Sequence, residues 1–147
     1  MLRLPPRIKV LEALGALADG RVRKVGDHYL VTSSDGSRQY VVKVDLDRRL
    51  AYSSDNGTVY RGYIGYPIIS VLMLNGVLSY DEELARGLRG IPWRELNEKY
   101  KNYSAVMSVI RGMVGEANWP RYEKFIDKVM DELRRLNLRL MEVKQPL

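Results

Sequence analysis

The apolar period of this chain switches from about three to two and then back to a helical spacing, and that switch restricts its fold more than any other feature. Ile8, Leu11, Leu14 and Leu17 recur every third residue, with Pro5 and Pro6 before them and Gly20 after. This predicts an amphipathic helix over 7–19 whose apolar stripe needs a cover. Over 21–61 the pattern alternates instead: Tyr29 and Val31, then Tyr40, Val42 and Val44 are separated by polar residues. Side chains alternate in direction along a strand, so this spacing predicts three to five antiparallel strands. Helical spacing resumes after Pro67. The order implies an α+β fold: an N-terminal helix, a small antiparallel β-sheet, then a C-terminal group of helices.

Turn and cap chemistry divides these stretches further. Ser34-Asp35-Gly36-Ser37 and Asp55-Asn56-Gly57 carry residues that accept positive φ and read as hairpin turns, while Asp45, Asp47, Arg48 and Arg49 form a polar bend between the third and fourth strands. Ile68 to Leu74 predicts a short buried helix closed by Asn75-Gly76. Ser79-Tyr80-Asp81-Glu82 reads as a capping box opening a helix that ends at Gly90, and Ile91-Pro92-Trp93 starts the next. Val106, Val109, Ile110 and Met113 mark a helix ended by Gly112 to Gly115. The last helix is capped by Asn118 and opened by Pro120; Tyr122, Phe125, Ile126, Val129, Met130, Leu133 and Leu136 form its apolar stripe. Its other face alternates in charge sign, as an exposed surface with i,i+4 pairs does. No repeat or linker interrupts the chain, so 1–147 reads as a single domain in which 1–77 and 78–147 share one core.

Composition excludes several chemistries. With 147 residues, 46% of them hydrophobic, the chain is large enough to bury about 68–70% of the surface its unfolded form exposes. It has no cysteine, which removes disulfides, thiolate metal sites and thiol nucleophiles. A single histidine, His28, rules out multi-histidine metal sites. The net charge is +6, and arginines outnumber lysines by about two to one, a composition that suits a thermophile. A basic balance fits a nucleic-acid partner as well as a solvated surface. The amino terminus has no apolar leader and no apolar run approaches about 18 residues, so the expectation is a cytoplasmic protein without a membrane partner.

Residues 40–74, YVVKVDLDRRLAYSSDNGTVYRGYIGYPIISVLML, read as strand, turn, strand and an apolar run opened by Gly65-Tyr66-Pro67. In element order and helix start this segment resembles a SWIM domain, a ββα module whose zinc ligands run C-x-C and then C-x-H before an apolar helix. Tyr66-Pro67-Ile68-Ile69-Ser70-Val71-Leu72 stands where that family shows a Lys-His pair and its apolar run. Gly65 and Pro67 take the places of the second ligand pair; Ala51 and Ser53, or Tyr52 and Ser54, take those of the first. None of these is a zinc ligand. The resemblance implies a module that has exchanged its metal for packing, with DNA or protein contacts as its role. It also implies a geometry: strands over 40–46 and 49–53 pair as a hairpin, with a helix from Pro67 packed on it.

Arg61-Gly62-Tyr63-Ile64-Gly65-Tyr66 begins like an RNA-recognition signature, but Ile64 and Gly65 break the pattern that sets rings on alternate positions. The cluster of Tyr60, Arg61, Tyr63 and Tyr66 fits a single-strand surface, with rings stacking on bases and arginine meeting phosphate. It equally fits packing at a sheet-to-helix junction. Arg86 and Arg89, at i and i+3, and Arg94, followed by Lys99 and Lys101, could contact phosphates or simply be solvated. Trp93 fits either a surface anchor or a tryptophan buried between helices.

Catalytic motifs are missing: there is no P-loop, dinucleotide glycine motif or nucleophile elbow. Asp27 and His28 are adjacent, which on a strand would point them to opposite faces. The sequence therefore supports a non-catalytic nucleic-acid-binding or regulatory protein, partnered by DNA or RNA through Arg61, Tyr63, Arg86, Arg89 and Arg94, with no metal or cofactor. The alternative is a protein-interaction or self-assembly protein that uses an apolar helix face around Trp93 or on the final helix.

Overall fold

The structure, a computed structural model, describes residues 1–143; the four that follow lie outside the described residues. Helix α1 (Ile8–Ala18) leads into four strands, β1 (Val22–Val25), β2 (His28–Thr32), β3 (Gln39–Asp45) and β4 (Leu50–Ser53). Six helices follow: α2 (Asn56–Val59), α3 (Tyr66–Leu74), α4 (Glu82–Arg86), α5 (Trp93–Tyr100), α6 (Tyr103–Val114) and α7 (Trp119–Leu136). A final short strand, β5 (Arg139–Leu140), completes an α+β fold.

The first four strands form an antiparallel meander, as alternation and turn chemistry require. The sheet is nonetheless mixed, because β5 returns from α7 to pair in parallel with β4. Two residues carry no periodicity, so this strand has no signal in the sequence. Strands β3 and β4 form the expected hairpin, and α3 packs on both. Val31, Val42 and Ala51 are buried against the helices. On the opposite face Leu30 lies across from Val41, and both are half-buried outside the core. The helices therefore cover one side of the sheet only.

Helix α1 departs from its expected amphipathic form. Val10 to Ala16 are all buried, because α3, α4 and α7 surround the helix. Even Glu12 is only 2% exposed. Close approach is made possible by Gly15, where the indole edge of Trp93 occupies the space a Cβ would need. Trp93 is thus buried against α1 and is not a surface anchor.

Several local readings are corrected. Asp55-Asn56-Gly57 is not a hairpin turn: Asp55 caps α2, its carboxylate accepting the Thr58 N–H at 3.2 Å and the Thr58 hydroxyl at 2.9 Å. An Asp with a donor three residues on satisfies a helix start as readily as a turn. The cap of α4 is Asp81, which accepts from the Leu84 N–H at 3.0 Å, while Ser79 instead donates its hydroxyl to Glu132 of α7 at 2.6 Å. That helix stops at Arg86, and the Tyr122 hydroxyl fills the space beside Gly87 while donating to the Leu84 carbonyl at 2.8 Å. Asn118 precedes α7 but turns its amide back to the Val114 carbonyl, at 2.9 Å, and does not cap. Gly112 lies inside α6, which ends at Gly115 with φ of 89°. Among the described residues no helix is long and apolar enough to cross a membrane.

Candidate ligand cleft

A polar cleft of about 520 Å³ opens between α1, the β2–β3 turn, the start of α2, α5 and the start of α6. Its floor begins with Glu12, a carboxylate carried into the interior by a helix whose other charged residue is Lys9. Burial of a charge requires partners, and Glu12 has two: Lys9 donates to one oxygen at 2.9 Å and the Asn97 amide to the other at 2.7 Å. Burial disfavours the Lys9 charge, but Glu12, Tyr103 and Asp55 together outweigh it and hold the ammonium above its usual range. The same ammonium lies 5.0 Å from the centroid of the Tyr103 ring.

Tyrosines form the adjoining wall. The Tyr63 and Tyr103 hydroxyls are 3.2 Å apart, and burial together with that hydrogen bond pushes the Tyr63 phenol far above its ordinary range. Burial raises Tyr66 as well, and its ring meets Tyr40 edge-on at 6.2 Å. Both phenols are therefore neutral over the physiological range. Gly57 makes room for the Tyr63 ring, which lies where a Cβ would be, and Gly65 does the same for the Asp55 carboxylate. These two glycines explain how a segment rich in tyrosine can close so tightly on α2.

The mouth differs from the floor. A side concavity of about 420 Å³ is lined by Lys9, Arg61, Asn97, Lys101, Asn102 and Tyr103, without a carboxylate. Arg61 and Lys101 are exposed, and among the described residues neither side chain has a hydrogen-bond or ion-pair partner. The opposite rim is charge-paired: Arg94 lies 3.3 Å from Asp35 and 3.4 Å from Glu98. Asp35 also accepts from Ser37 and Ser33, which holds its carboxyl down to about 2.

Of the residues singled out in the sequence, Arg61, Tyr63 and Arg94 meet in this cleft. Arg86 and Arg89 do not: they sit at and beyond the end of α4, exposed and outside the lining. Tyr60 is 81% exposed but is also outside it, whereas Tyr63 is buried and Tyr66 half-buried. Asp27 and His28 contact each other at 3.0 Å, because Asp27 lies in the turn before β2 and escapes the alternation of a strand. Neither lines the cleft. Among the described residues no group of three or more acidic or histidine side chains is placed to hold a metal. The sequence reading missed Lys9, Glu12, Asn97 and Tyr103. A signal was present for one pair, since Lys9 and Glu12 are charges spaced i, i+3 within the apolar run of α1.

A family model described as "Uncharacterised conserved protein UCP014422" matches residues 2–139. Searches of curated proteins and of solved structures give no match.

Proposed function

The chain belongs to the UCP014422 family of conserved proteins, and for it we propose a non-catalytic role, the binding of single-stranded nucleic acid in the cleft. The observation that supports this reading is the pairing of a carboxylate-free cationic mouth with a wall of neutral tyrosines. Phosphate is attracted to Arg61 and Lys101, and the wall offers a base the half-buried Tyr40 ring and the exposed Tyr103 ring. A rigid duplex would not enter a concavity of this size. Arg86 and Arg89 then serve as a peripheral basic surface outside the cleft.

Fluorescence anisotropy of labelled single- and double-stranded DNA and RNA at several salt concentrations tests the reading. Single strands should bind more tightly than duplex, with a log–log salt slope of about −2 for two or three phosphate contacts. Absence of binding at low salt defeats it.

A second reading, interaction with another protein or self-assembly, is favoured by one observation: the uncovered sheet face bearing Leu30, Val41, Leu50 and Tyr52. Sedimentation across a concentration series tests it. A strict monomer argues against self-association through this face.

A further inference from the structure

Among the described residues three non-glycine residues adopt left-handed backbone, Arg49 (φ 56°), Lys101 (φ 51°) and Asn137 (φ 53°). For an L-residue with a Cβ this conformation is disfavoured relative to right-handed backbone. Two of the three have a reason within the fold. Arg49 turns the β3–β4 hairpin and sends its guanidinium to the carbonyls of Arg135 and Leu136, at 3.5 and 3.4 Å, at the end of α7. Asn137 ends α7 and is a residue type that tolerates this region. Lys101 ends α5, where glycine would serve at less cost. Its backbone N–H is satisfied by the Asn97 carbonyl at 3.0 Å, yet its ammonium has no partner among the described residues.

Arg61 shows the same combination of a held backbone and a free charge. Its carbonyl accepts the Arg3 guanidinium, and Gly62, at φ 69°, turns the chain immediately after it. Both free cations line the main cleft and the side concavity. The third cation there, Lys9, is largely neutralised by Glu12. Two uncompensated charges at the mouth match a dianion. At the floor Glu12 is paired with Lys9 and Asp55 is engaged by Thr58, so no free cation draws the phosphate inward, and it stays outside while the group attached to it faces the tyrosines.

We infer that Arg61 and Lys101 form a subsite for a phosphomonoester, the terminal phosphate of a nucleic-acid strand. This rests on the single-strand reading. Two free cations match the double charge of a terminal phosphate, whereas an internal phosphodiester carries one charge and has chain continuing on both sides; the strand leaves the terminal nucleoside by the open mouth.

The test uses internally labelled oligonucleotides of one sequence with a 5′-phosphate, a 3′-phosphate or only hydroxyl ends, with inorganic phosphate and a nucleoside monophosphate as competitors. One phosphorylated end should bind about tenfold more tightly than the hydroxyl-ended strand, the scale of one charge-assisted contact. K101G and R61A should each abolish that preference. K101G should also melt at the same or a higher temperature, since glycine relieves the left-handed backbone. Equal affinity for all ends overturns the inference and leaves the single-strand reading standing. Failure of every oligonucleotide, with displaceable binding of the nucleoside monophosphate alone, supports the phosphomonoester subsite and defeats the strand reading. A lowered melting temperature in K101G overturns the assignment of Lys101, and R61A then decides the subsite by itself.

Discussion

The floor and the mouth of the cleft both carry cations and use them in opposite ways. At the floor, Lys9 and the Asn97 amide both donate to Glu12, and Asp55 accepts from the N–H and hydroxyl of Thr58. At the mouth, Arg61 and Lys101 have backbones held in place and side chains without partners. A buried charge is stable only when paired, so the floor is part of the fold, and a ligand that meets it finds its charge already compensated. An exposed charge loses little by remaining free and keeps its full attraction for an anion. The distinction predicts that floor substitutions act on stability and mouth substitutions act on binding.

The largest effect is expected at Glu12. E12A leaves the Lys9 ammonium buried without its counter-charge, and removing one member of such a pair costs about 3–5 kcal/mol, measurable as a lowered denaturant midpoint. Replacing both residues by apolar ones of similar volume should restore most of the loss. A pH dependence accompanies this. The Lys9 charge is favoured in the folded state, so its stabilisation is complete below 10.5 and is lost as pH rises through the higher folded value. In E12A that alkaline contribution should vanish. Unchanged stability in E12A would show that the floor does not hold the fold.

Smaller losses are expected where the floor meets α2. G57A places a Cβ into the Tyr63 ring and should cost about 1–3 kcal/mol through overpacking. Because the Tyr63 hydroxyl holds Tyr103 in the cleft wall, this variant should weaken oligonucleotide binding as well, whereas D55A leaves that wall in place. Loss of the Asp55 cap should cost about 1 kcal/mol, with binding retained. Thermal melts and anisotropy on both variants check the pair. A D55A protein that is stable but cannot bind would move Asp55 from the fold to the ligand.

What could be read from the sequence divides along the same line. Period and turn chemistry are local, so α1, an antiparallel sheet of three to five strands, α3 and α7 were all visible in the order of residues. The floor of the cleft was not, because Glu12 and Asn97 meet across 85 positions and Tyr63 and Tyr103 across 40. Asp55 misled for a physical reason: an Asp followed by Asn-Gly satisfies a hairpin turn and a helix cap with the same carboxylate. The mouth was half visible. Arg61 was found through its aromatic neighbours, but the meaning of Lys101 depends on a backbone angle that no residue pattern records.

The smallest effect is expected at the charge-paired rim, where the comparison is sharpest. Arg94 is a cleft cation like Arg61 and Lys101, but Asp35 and Glu98 already engage it. If pairing decides whether a cation is available to a ligand, R94A should change affinity for the phosphorylated strand less than R61A does. The Asp35 carboxyl is held at about 2 against an unperturbed 3.8, chiefly by the Ser37 hydroxyl and N–H, with Ser33 and Arg94 contributing. A depressed carboxyl stabilises the fold above 3.8, and the contribution fades as pH falls through about 2. D35N should flatten that acid limb while leaving neutral stability nearly unchanged, because the group is exposed and its pairing is screened. It should also release Arg94 and raise affinity for the phosphorylated strand slightly, by less than about threefold. An R94A variant that loses as much binding as R61A would break the distinction between paired and free cations on which the two ends of the cleft have been told apart.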